Sequence, residues 1–369
     1  MKILNFLLYK SLVVIFAVWS VCAFSGCQPA EREQLPLKPV FFPPAPDKPR
    51  LQFLKSFSGP DDLDAPGPSA FEKFIFGEPE TEEEIVKPYG IAIFEGKLYV
   101  CDTGKRMVEV LDIENRTFGY LTKDRRLINP INIYIDDDGA KYITDPVVGA
   151  VFVFDKNNNL SVILGRKLKI RPIDVTVRGQ RCYVTDSASN QIVVMDKTTG
   201  EEITRIGKTG DGGSQFTLIT GLALDQQDNI YVTDKVQAQI TEFDKSGTFQ
   251  RTIGKLGDSI HDLARPKGIA VDKEGRIWVV DAASEVAKIY NPEGQLLLFF
   301  GLPGNRPGMM NLPAAIALDY DNVELFREYA VEGANIEFLV LVSNQFGLNK
   351  ISVYGFGSFP EQERQQGSD

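Results

Sequence analysis

A short apolar run, interrupted by small or polar positions, recurs along the chain. It occurs as PYGIAI (88–93), PINIYI (130–135), PIDVTV (172–177), TGLAL (220–224), PKGIAV (266–271) and PAAIAL (313–318). The aligned positions within these runs are separated by 42, 42, 47, 47 and 47 residues; they are Gly90, Asn132, Asp174, Gly221, Gly268 and Ala315. A period of this length is typical of one four-stranded blade of a β-propeller. The pattern therefore predicts a repeat protein.

Each unit continues with a second strand that begins with an aromatic residue and ends with an acid. These strands are YVCD (99–102), YITD (142–145), YVTD (183–186), YVTD (231–234), WVVD (278–281) and a degenerate LVLVSN that ends at Asn344. Further β-runs separated by turn residues follow in each unit. The predicted fold is all-β, a six-bladed β-propeller of four-stranded antiparallel blades within one domain, residues 51–357, because single blades cannot bury both faces alone.

The sixth unit runs out of chain before a fourth strand. Only a polar tail, 358–369, remains after ISVYG. We expect LQFLKSF (51–57) to pair with 350–354 and close the ring, since an unpaired sheet edge invites association. The middle residues of the innermost strands include four alanines, which suit a crowded central channel; they are Ala92, Tyr134, Thr176, Ala223, Ala270 and Ala317.

The N-terminus has the features of a bacterial export signal. Lys2 and Lys10 precede an uncharged run that ends in Ser25, Gly26 and Cys27, so we expect residues 1–26 to be a cleaved signal peptide. The site resembles the lipobox of bacterial lipoproteins, which implies palmitate-type lipid attachment at Cys27; plain cleavage is the alternative. The proline-rich residues 27–50 would form a stiff tether of about 3 Å per residue. Gln28 favours transfer to the outer membrane by the same resemblance.

The net charge and the cysteine content argue against nucleic acid as a partner and against a disulfide as a crosslink. The chain has a formal net charge of -10, and removal of residues 1–26 takes away two lysines and no acid. An acidic surface repels nucleic acid, so we expect none to bind. Cys101 and Cys182 fall in non-neighbouring blades, and we expect buried thiols without a disulfide.

Two segments carry a family resemblance. IGKTGDGGSQFTLITGLALD (206–225) and RPKGIAVDKEGRIWVVD (265–281) resemble the NHL-repeat β-propellers, and the likeness extends over about 88–357. Together with the lipobox and tether, the chain looks like bacterial NHL-repeat lipoproteins of the cell envelope. The resemblance implies the fold more firmly than the function.

Acidic residues at the strand ends are the main candidates for chemistry. They would form a ring on one face and collect a cation such as calcium; they are Asp102, Asp145, Asp186, Asp234 and Asp281. Because the acid returns in nearly every unit, acceptance of backbone N–H bonds in the following turn is the favoured interpretation. The single histidine, His261, excludes ordinary zinc catalysis. We therefore predict no cofactor and no catalytic residues, with calcium as the open alternative.

Two insertions depart from the repeat. Residues 59–87 contain FEKFIFG and an acidic run, and we expect a short amphipathic helix there. Residues 320–337 lengthen the first hairpin of the sixth unit. They should protrude from the face opposite to the one formed by the inter-blade loops. Phe326, Arg327 and Tyr329 in this hairpin are candidate partner contacts, with a self-packed loop as the alternative.

The combined features favour a membrane-anchored envelope module that binds or scaffolds other envelope proteins. The candidate contacts are four cations in predicted face-forming loops, namely Lys105, Arg106, Lys235 and Lys267. The alternative function is a calcium-dependent hydrolase or lactonase with oxygen ligands at the channel mouth. We expect the protein to lie in the bacterial cell envelope, attached to the outer membrane by its lipid and facing the periplasm or the cell surface.

Overall fold

A computed structural model of the protein describes residues 38–63, 84–123, 125–209 and 215–360. The predicted signal peptide, Cys27, most of the tether, the helix expected within 59–87 and the polar tail from 361 onward lie outside these residues. Within the described part of the chain, the helices are too short or too polar to cross a bilayer.

The first strands in the chain precede the ring in sequence. They are β1 (Phe41–Phe42) and β2 (Leu51–Phe57), followed by a 3-10 turn at Pro60–Leu63. Blade one then contains β3 (Pro88–Phe94), β4 (Lys97–Asp102), β5 (Met107–Asp112) and β6 (Thr117–Tyr120). Blade two contains β7 (Ile133–Ile135), β8 (Lys141–Asp145), β9 (Ala150–Phe154) and β10 (Leu160–Leu164). Blade three contains β11 (Pro172–Arg178), β12 (Arg181–Asp186), β13 (Gln191–Asp196) and β14 (Glu202–Ile206).

The remaining blades repeat this arrangement. A short parallel pair, β15 (Lys208–Thr209) and β16 (Gln215–Phe216), leads into blade four, which contains β17 (Ile219–Leu224), β18 (Ile230–Asp234), β19 (Gln239–Phe243) and β20 (Phe249–Ile253). Blade five contains β21 (Pro266–Val271), β22 (Ile277–Asp281), β23 (Val286–Tyr290) and β24 (Leu296–Gly301). Blade six begins with β25 (Pro313–Asp319), a 3-10 helix at Val323–Tyr329, β26 (Asn335–Asn344) and β27 (Ile351–Ser358). The protein is a six-bladed β-propeller of antiparallel blades, as predicted.

Blade six is completed from the other end of the chain. Its strand order is β25, β26, β27, β2 and β1, with β2 antiparallel to β27. Leu51 pairs with Phe356 and Phe57 with Ile351, which confirms the predicted closing strand. The structure adds β1 as a fifth, outermost strand, so this edge is longer than the sequence predicted.

The core consists of apolar layers between neighbouring blades. In β26 the residues alternate by side: Leu339 and Leu341 pack toward blade one, whereas Val340 and Val342 pack toward blade five. This is the period of two expected of a strand buried on both faces. Cys101 and Cys182 are free, buried thiols in such layers, and burial raises the pKa of both.

Hydroxyl groups next to the strand-ending acids join adjacent blades. Thr144 Oγ1 donates to the carbonyl of Ile173 at 2.9 Å, and Thr233 Oγ1 donates to that of Lys267 at 2.6 Å. Thr185 and Ser343 make the equivalent bonds to the carbonyls of the next blades. Repetition of this threonine therefore reflects assembly of the ring.

Candidate functional site

The antiparallel blades give the ring two loop faces. The upper face is formed by the loops that join strand two to strand three and by the loops that join each blade to the next. The lower face is formed by loops from strand one to strand two and from strand three to strand four. The strand-ending acids lie at the upper face, and the central channel runs between the two.

The strand-ending acids are buried and accept several hydrogen bonds each. Asp145 is fully buried, and its carboxylate accepts the backbone N–H groups of Ile128, Asn129, Val147 and Val148 at 2.6–3.0 Å. Asp102, Asp186, Asp234 and Asp281 bind the N–H groups of their own turns and of the preceding inter-blade loops. Each carboxylate thus ties two upper-face loops together, a role that every blade requires.

These acids do not converge on a shared point. Among the described residues, no cluster of three or more His, Cys, Asp or Glu side chains is placed to hold a metal ion. Backbone N–H groups already occupy carboxylate oxygens of these acids. Asp136, which opens the DDDG turn between β7 and β8, also accepts turn N–H groups.

The upper face carries most of the exposed apolar side chains. Of the large exposed hydrophobic residues in the described chain, only Ile203, Phe249 and Leu297 lie elsewhere, on outer strands. The upper-face members are Val86, Ile128, Val147, Val236, Leu256, Ile260, Leu302, Phe346 and Leu348. Phe346 is 54% and Leu348 71% exposed. The upper face therefore exposes more large apolar side chains than the rest of the described chain.

Three of the four predicted cations differ in their surroundings. Lys105 Nζ lies 2.8 Å from the buried carboxylate of Glu109, and burial raises the pKa of Glu109 to about 7 despite this pair. The ammonium group of Lys105 is therefore paired within blade one. The sequence did not indicate this ion pair. Arg106 is exposed in the adjoining turn, and Lys235 is half-buried in blade four. Lys105 and Arg106 lie in blade one, whereas Lys235 lies in blade four.

Lys267 lies at the upper end of the channel and is buried. Its Nζ donates to Gln345 Oε1 at 3.0 Å and lies 5.7 Å from the ring centroid of Tyr89. Burial, followed by repulsion from Lys235, Arg265 and Lys87, lowers the pKa of Lys267 to about 8. One lysine thus links blades five, six and one at the centre of the face.

A cluster of exposed cations on the upper face was missed by the sequence analysis. We call it the basic sector; it comprises Lys123, Arg125, Arg126, Arg166, Lys167, Lys169 and Arg171. These residues lie in the two inter-blade loops that flank blade two, beside exposed Ile128 and Val147. In the sequence, Asp124 is the one acid within these loops. The excess of Lys and Arg over acidic residues in these two loops is visible in the sequence and would have predicted the basic sector.

The predicted contacts in the long hairpin lie on the lower face. Phe326 is fully buried and packs against Phe57, with ring centroids 6.2 Å apart. Phe326 is therefore not an exposed partner contact: the segment folds back on the core instead of protruding, in agreement with the self-packed alternative. Tyr329 is half-buried and its hydroxyl accepts from Lys55 Nζ at 2.7 Å. Arg327 is exposed and paired with Glu324 at 2.5 Å.

Two polar side chains cross the upper end of the central channel. Asn132 Nδ2 donates to Asp174 Oδ1 at 2.6 Å, and Asp174 Oδ2 accepts the backbone N–H of Leu222 at 2.8 Å. Gly90 lies against Asn132 so closely that a Cβ there would sit 2.2 Å from its Oδ1. Blades one to four therefore meet around this pair. Burial raises the pKa of Asp174 to about 7.

Below this pair the channel widens into a cavity of about 300 Å³. The walls come from the middle of the innermost strands, including the predicted alanines; they are Ala92, Tyr134, Thr176, Ala223, Ala270 and Ala317. Asn132 and Asp174 are buried, whereas Ile93, Ile135 and Leu318 near the other end are half-buried. The cavity, which we call the funnel, is therefore closed at the upper face and open toward the lower face.

Part of the chain matches a known family. Residues 168–242 match a family model described as "6-bladed beta-propeller". This span runs from the start of blade three to β19 of blade four.

Solved structures with the same architecture include several enzymes and binding proteins. A gluconolactonase from Xanthomonas campestris is 16% identical, with 86% of this chain and 97% of that chain covered and a TM-score of 0.55. A virginiamycin B lyase from Staphylococcus aureus is also 16% identical, covering 73% of this chain and 80% of that one at a TM-score of 0.51. The calcium-binding protein regucalcin from Agrobacterium tumefaciens is 11% identical, with 74% and 91% covered and a TM-score of 0.50. At such identities the similarity shows the fold alone.

Proposed function

We propose that the protein is a lipid-anchored, NHL-type β-propeller of the bacterial cell envelope that binds another envelope protein through its upper face. The observation that carries this proposal is the concentration of exposed apolar side chains on that face, mixed with the basic sector. Interfaces combine apolar anchors with a polar rim. A partner with an acidic rim and an apolar centre would complement both features.

The experiment compares apolar residues that are equally exposed but lie in different places. The Phe346→Ser/Leu348→Ser variant removes upper-face anchors, and Ile203→Ser/Leu297→Ser removes residues of the outer strands with 49% and 55% exposure. Each full-length chain is purified from crosslinked native membranes, and co-purifying proteins are quantified. We expect the upper-face variant to lose its main partner about tenfold, which corresponds to about 1.4 kcal/mol. Partner loss in the outer-strand variant alone would contradict the proposal.

The anchor is tested separately. We expect Cys27 to carry the lipid, so that the wild-type chain incorporates labelled palmitate and sediments with membranes. Cys27→Ser should abolish both properties, while Cys22→Ser, within the predicted signal peptide, should preserve them. Fractionation of inner and outer membranes then tests the expected outer-membrane location.

A calcium-dependent hydrolase or lactonase is the second candidate, because similar structures include a gluconolactonase and the calcium-binding regucalcin. The nearest counterpart of an oxygen-ligand set is Asn132 with Asp174, whose carboxylate already accepts three N–H bonds. This pair falls short of the six to eight oxygens that calcium takes. Stoichiometric calcium retained after dialysis, measured by elemental analysis, would favour this candidate over the first.

A further inference from the structure

The funnel has the build of a small-molecule site and is independent of the upper face. Ligand sites are usually concave and apolar, with a few polar groups that orient the ligand, and range upward from about 300 Å³. Here alanine and branched aliphatic side chains form most of the wall, Tyr134, Thr176 and Tyr320 also line it, and the closed end presents Asp174 and Asn132. The open end lies among the loops that join strand one to strand two.

Asp174 retains capacity for one more donor. A carboxylate offers about four acceptor positions, and three are used by Val175 N–H, Asn132 Nδ2 and Leu222 N–H at 2.6–2.8 Å. No cation of the described chain forms an ion pair with this carboxylate. A buried carboxylate without a cation is costly, and a positively charged ligand would offset that cost.

The charges around the open end favour the same sign of ligand. The loops that join strand one to strand two carry many acids, namely Glu95, Asp136, Asp137, Asp138, Asp225, Asp228, Asp272, Glu274, Asp319 and Asp321. Nearby arginines are paired, Arg178 with Asp228 at 3.1 Å and Arg276 with Asp272 at 2.6 Å. Lys273 is exposed in one of these loops, and its Nζ lies 3.8 Å from the ring centroid of Tyr320, so the charges are mixed with an excess of acids. An excess of one charge around a cleft concentrates ligands of the opposite charge.

We propose that the funnel binds a small organic amine with an apolar body, whose ammonium group donates to Asp174 while its body packs against Ala92, Ala223 and Ala270. An anionic ligand would meet Asp174 and the acidic loops, so the site rejects it. A sugar or sugar lactone lacks the positive charge that would offset the cost of the buried Asp174 carboxylate.

The test uses three probes of the same size that differ in charge: phenethylamine, 2-phenylethanol and phenylacetate. Binding to the detergent-solubilised full-length chain is measured by calorimetry. We expect the amine to bind at least about tenfold more tightly than the alcohol, equivalent to about 1.4 kcal/mol, and phenylacetate to give no saturable heat. Equal affinities for amine and alcohol, or no binding of any probe, would overturn the proposal.

Variants locate the binding in the funnel. Asp174→Asn should weaken amine binding at least about tenfold, and Ala270→Leu, which fills the funnel, should do the same while retaining the carboxylate. Ala283→Leu, an exposed residue of the upper face, is the matched control and should bind like the wild type. If Asp174→Asn does not fold, Ala270→Leu decides the outcome. Unchanged amine binding in Ala270→Leu, or saturable calcium binding that Asp174→Asn removes, would contradict the amine assignment.

Discussion

The upper and lower faces are built from the same repeat, yet they differ in what they expose. On both faces an aspartate organises a turn: Asp145 binds four N–H groups above, and Asp272 binds its turn and Trp278 Nε1 below. On the upper face the exposed residues include nine large apolar side chains and the basic sector, whereas the lower-face loops expose acids such as Asp137, Asp138 and Glu274 alongside lysines and no large apolar side chain among the described residues. The recurring residues therefore hold each blade, and the positions that vary between blades give each face its own chemistry.

Both faces exist only while the ring is closed. We therefore expect the largest loss of stability when the closing strand is removed. Deletion of residues 38–57 removes β1 and β2 and leaves β27 unpaired on one side. We expect loss of cooperative thermal unfolding and aggregation. Deletion of 38–49 removes only β1 and should lower the Tm by several degrees. An unchanged melting curve for the longer deletion, followed by circular dichroism, would refute closure by this strand.

The next largest effect is a difference in unfolding free energy between two kinds of variant. One replaces a buried structural acid of the upper face, and the other replaces a solvent-exposed acid of the lower face. Asp145→Asn replaces an acceptor of four N–H groups by an amide that can serve fewer, and should cost about 3 kcal/mol of unfolding free energy. Asp137→Asn changes an exposed acid and should alter stability by less than about 0.5 kcal/mol. Urea unfolding of the two variants makes the comparison. Similar losses in both would remove the distinction between the faces.

A smaller effect tests the hydroxyl bonds between blades. Thr233 Oγ1 accepts from Gly221 N–H at 2.7 Å and donates to the Lys267 carbonyl at 2.6 Å. Thr233→Val keeps the shape and removes both bonds, so we expect a loss of about 1–2 kcal/mol. Blade five has Val280 at the equivalent position, and Val280→Ala provides a control that changes only apolar packing. A fully stable Thr233→Val protein would mean that these bonds do not hold the ring.

The smallest expected effect is the pH dependence conferred by two buried acids. Burial raises the pKa of Asp174 and of Glu109 to about 7, above the value of about 4 for unfolded chains. The folded state therefore binds these protons more tightly, and their contribution to stability is complete below about pH 4 and is lost as the pH rises to about 7. We expect the Tm to fall between about pH 4 and about pH 7. The fall should be shallower in Asp174→Asn/Glu109→Gln, and an equally steep profile in that variant would contradict the assignment.

The sequence predicted the ring because alternation and the acid-terminated strand recur with a fixed period. It predicted the closing strand for a related reason, since unit six lacked a strand and 51–57 had the right pattern. The burial of Phe326 depended on a long-range contact with Phe57 that no local pattern encodes. The Lys105–Glu109 pair escaped notice because both residues occupy positions that look solvent-exposed in isolation.

The funnel was partly visible in the sequence. Asn132 and Asp174 stand where other repeats have glycine or alanine, so the departure itself was apparent. Which end of the channel these residues close depends on how the strands converge, and this requires the assembled ring. The basic sector likewise appears only when two loops that are distant in sequence are placed on one face.

The difference between the faces is tested most directly by site-specific photocrosslinking in native membranes. A photoreactive side chain is placed at Val147, Val236 or Leu348 on the upper face and at Asp137, Lys245 or Glu293 on the lower face, all exposed in the structure. The proposed function predicts discrete protein adducts from the upper positions and none from the lower ones. Adducts that form from the lower positions alone would contradict it.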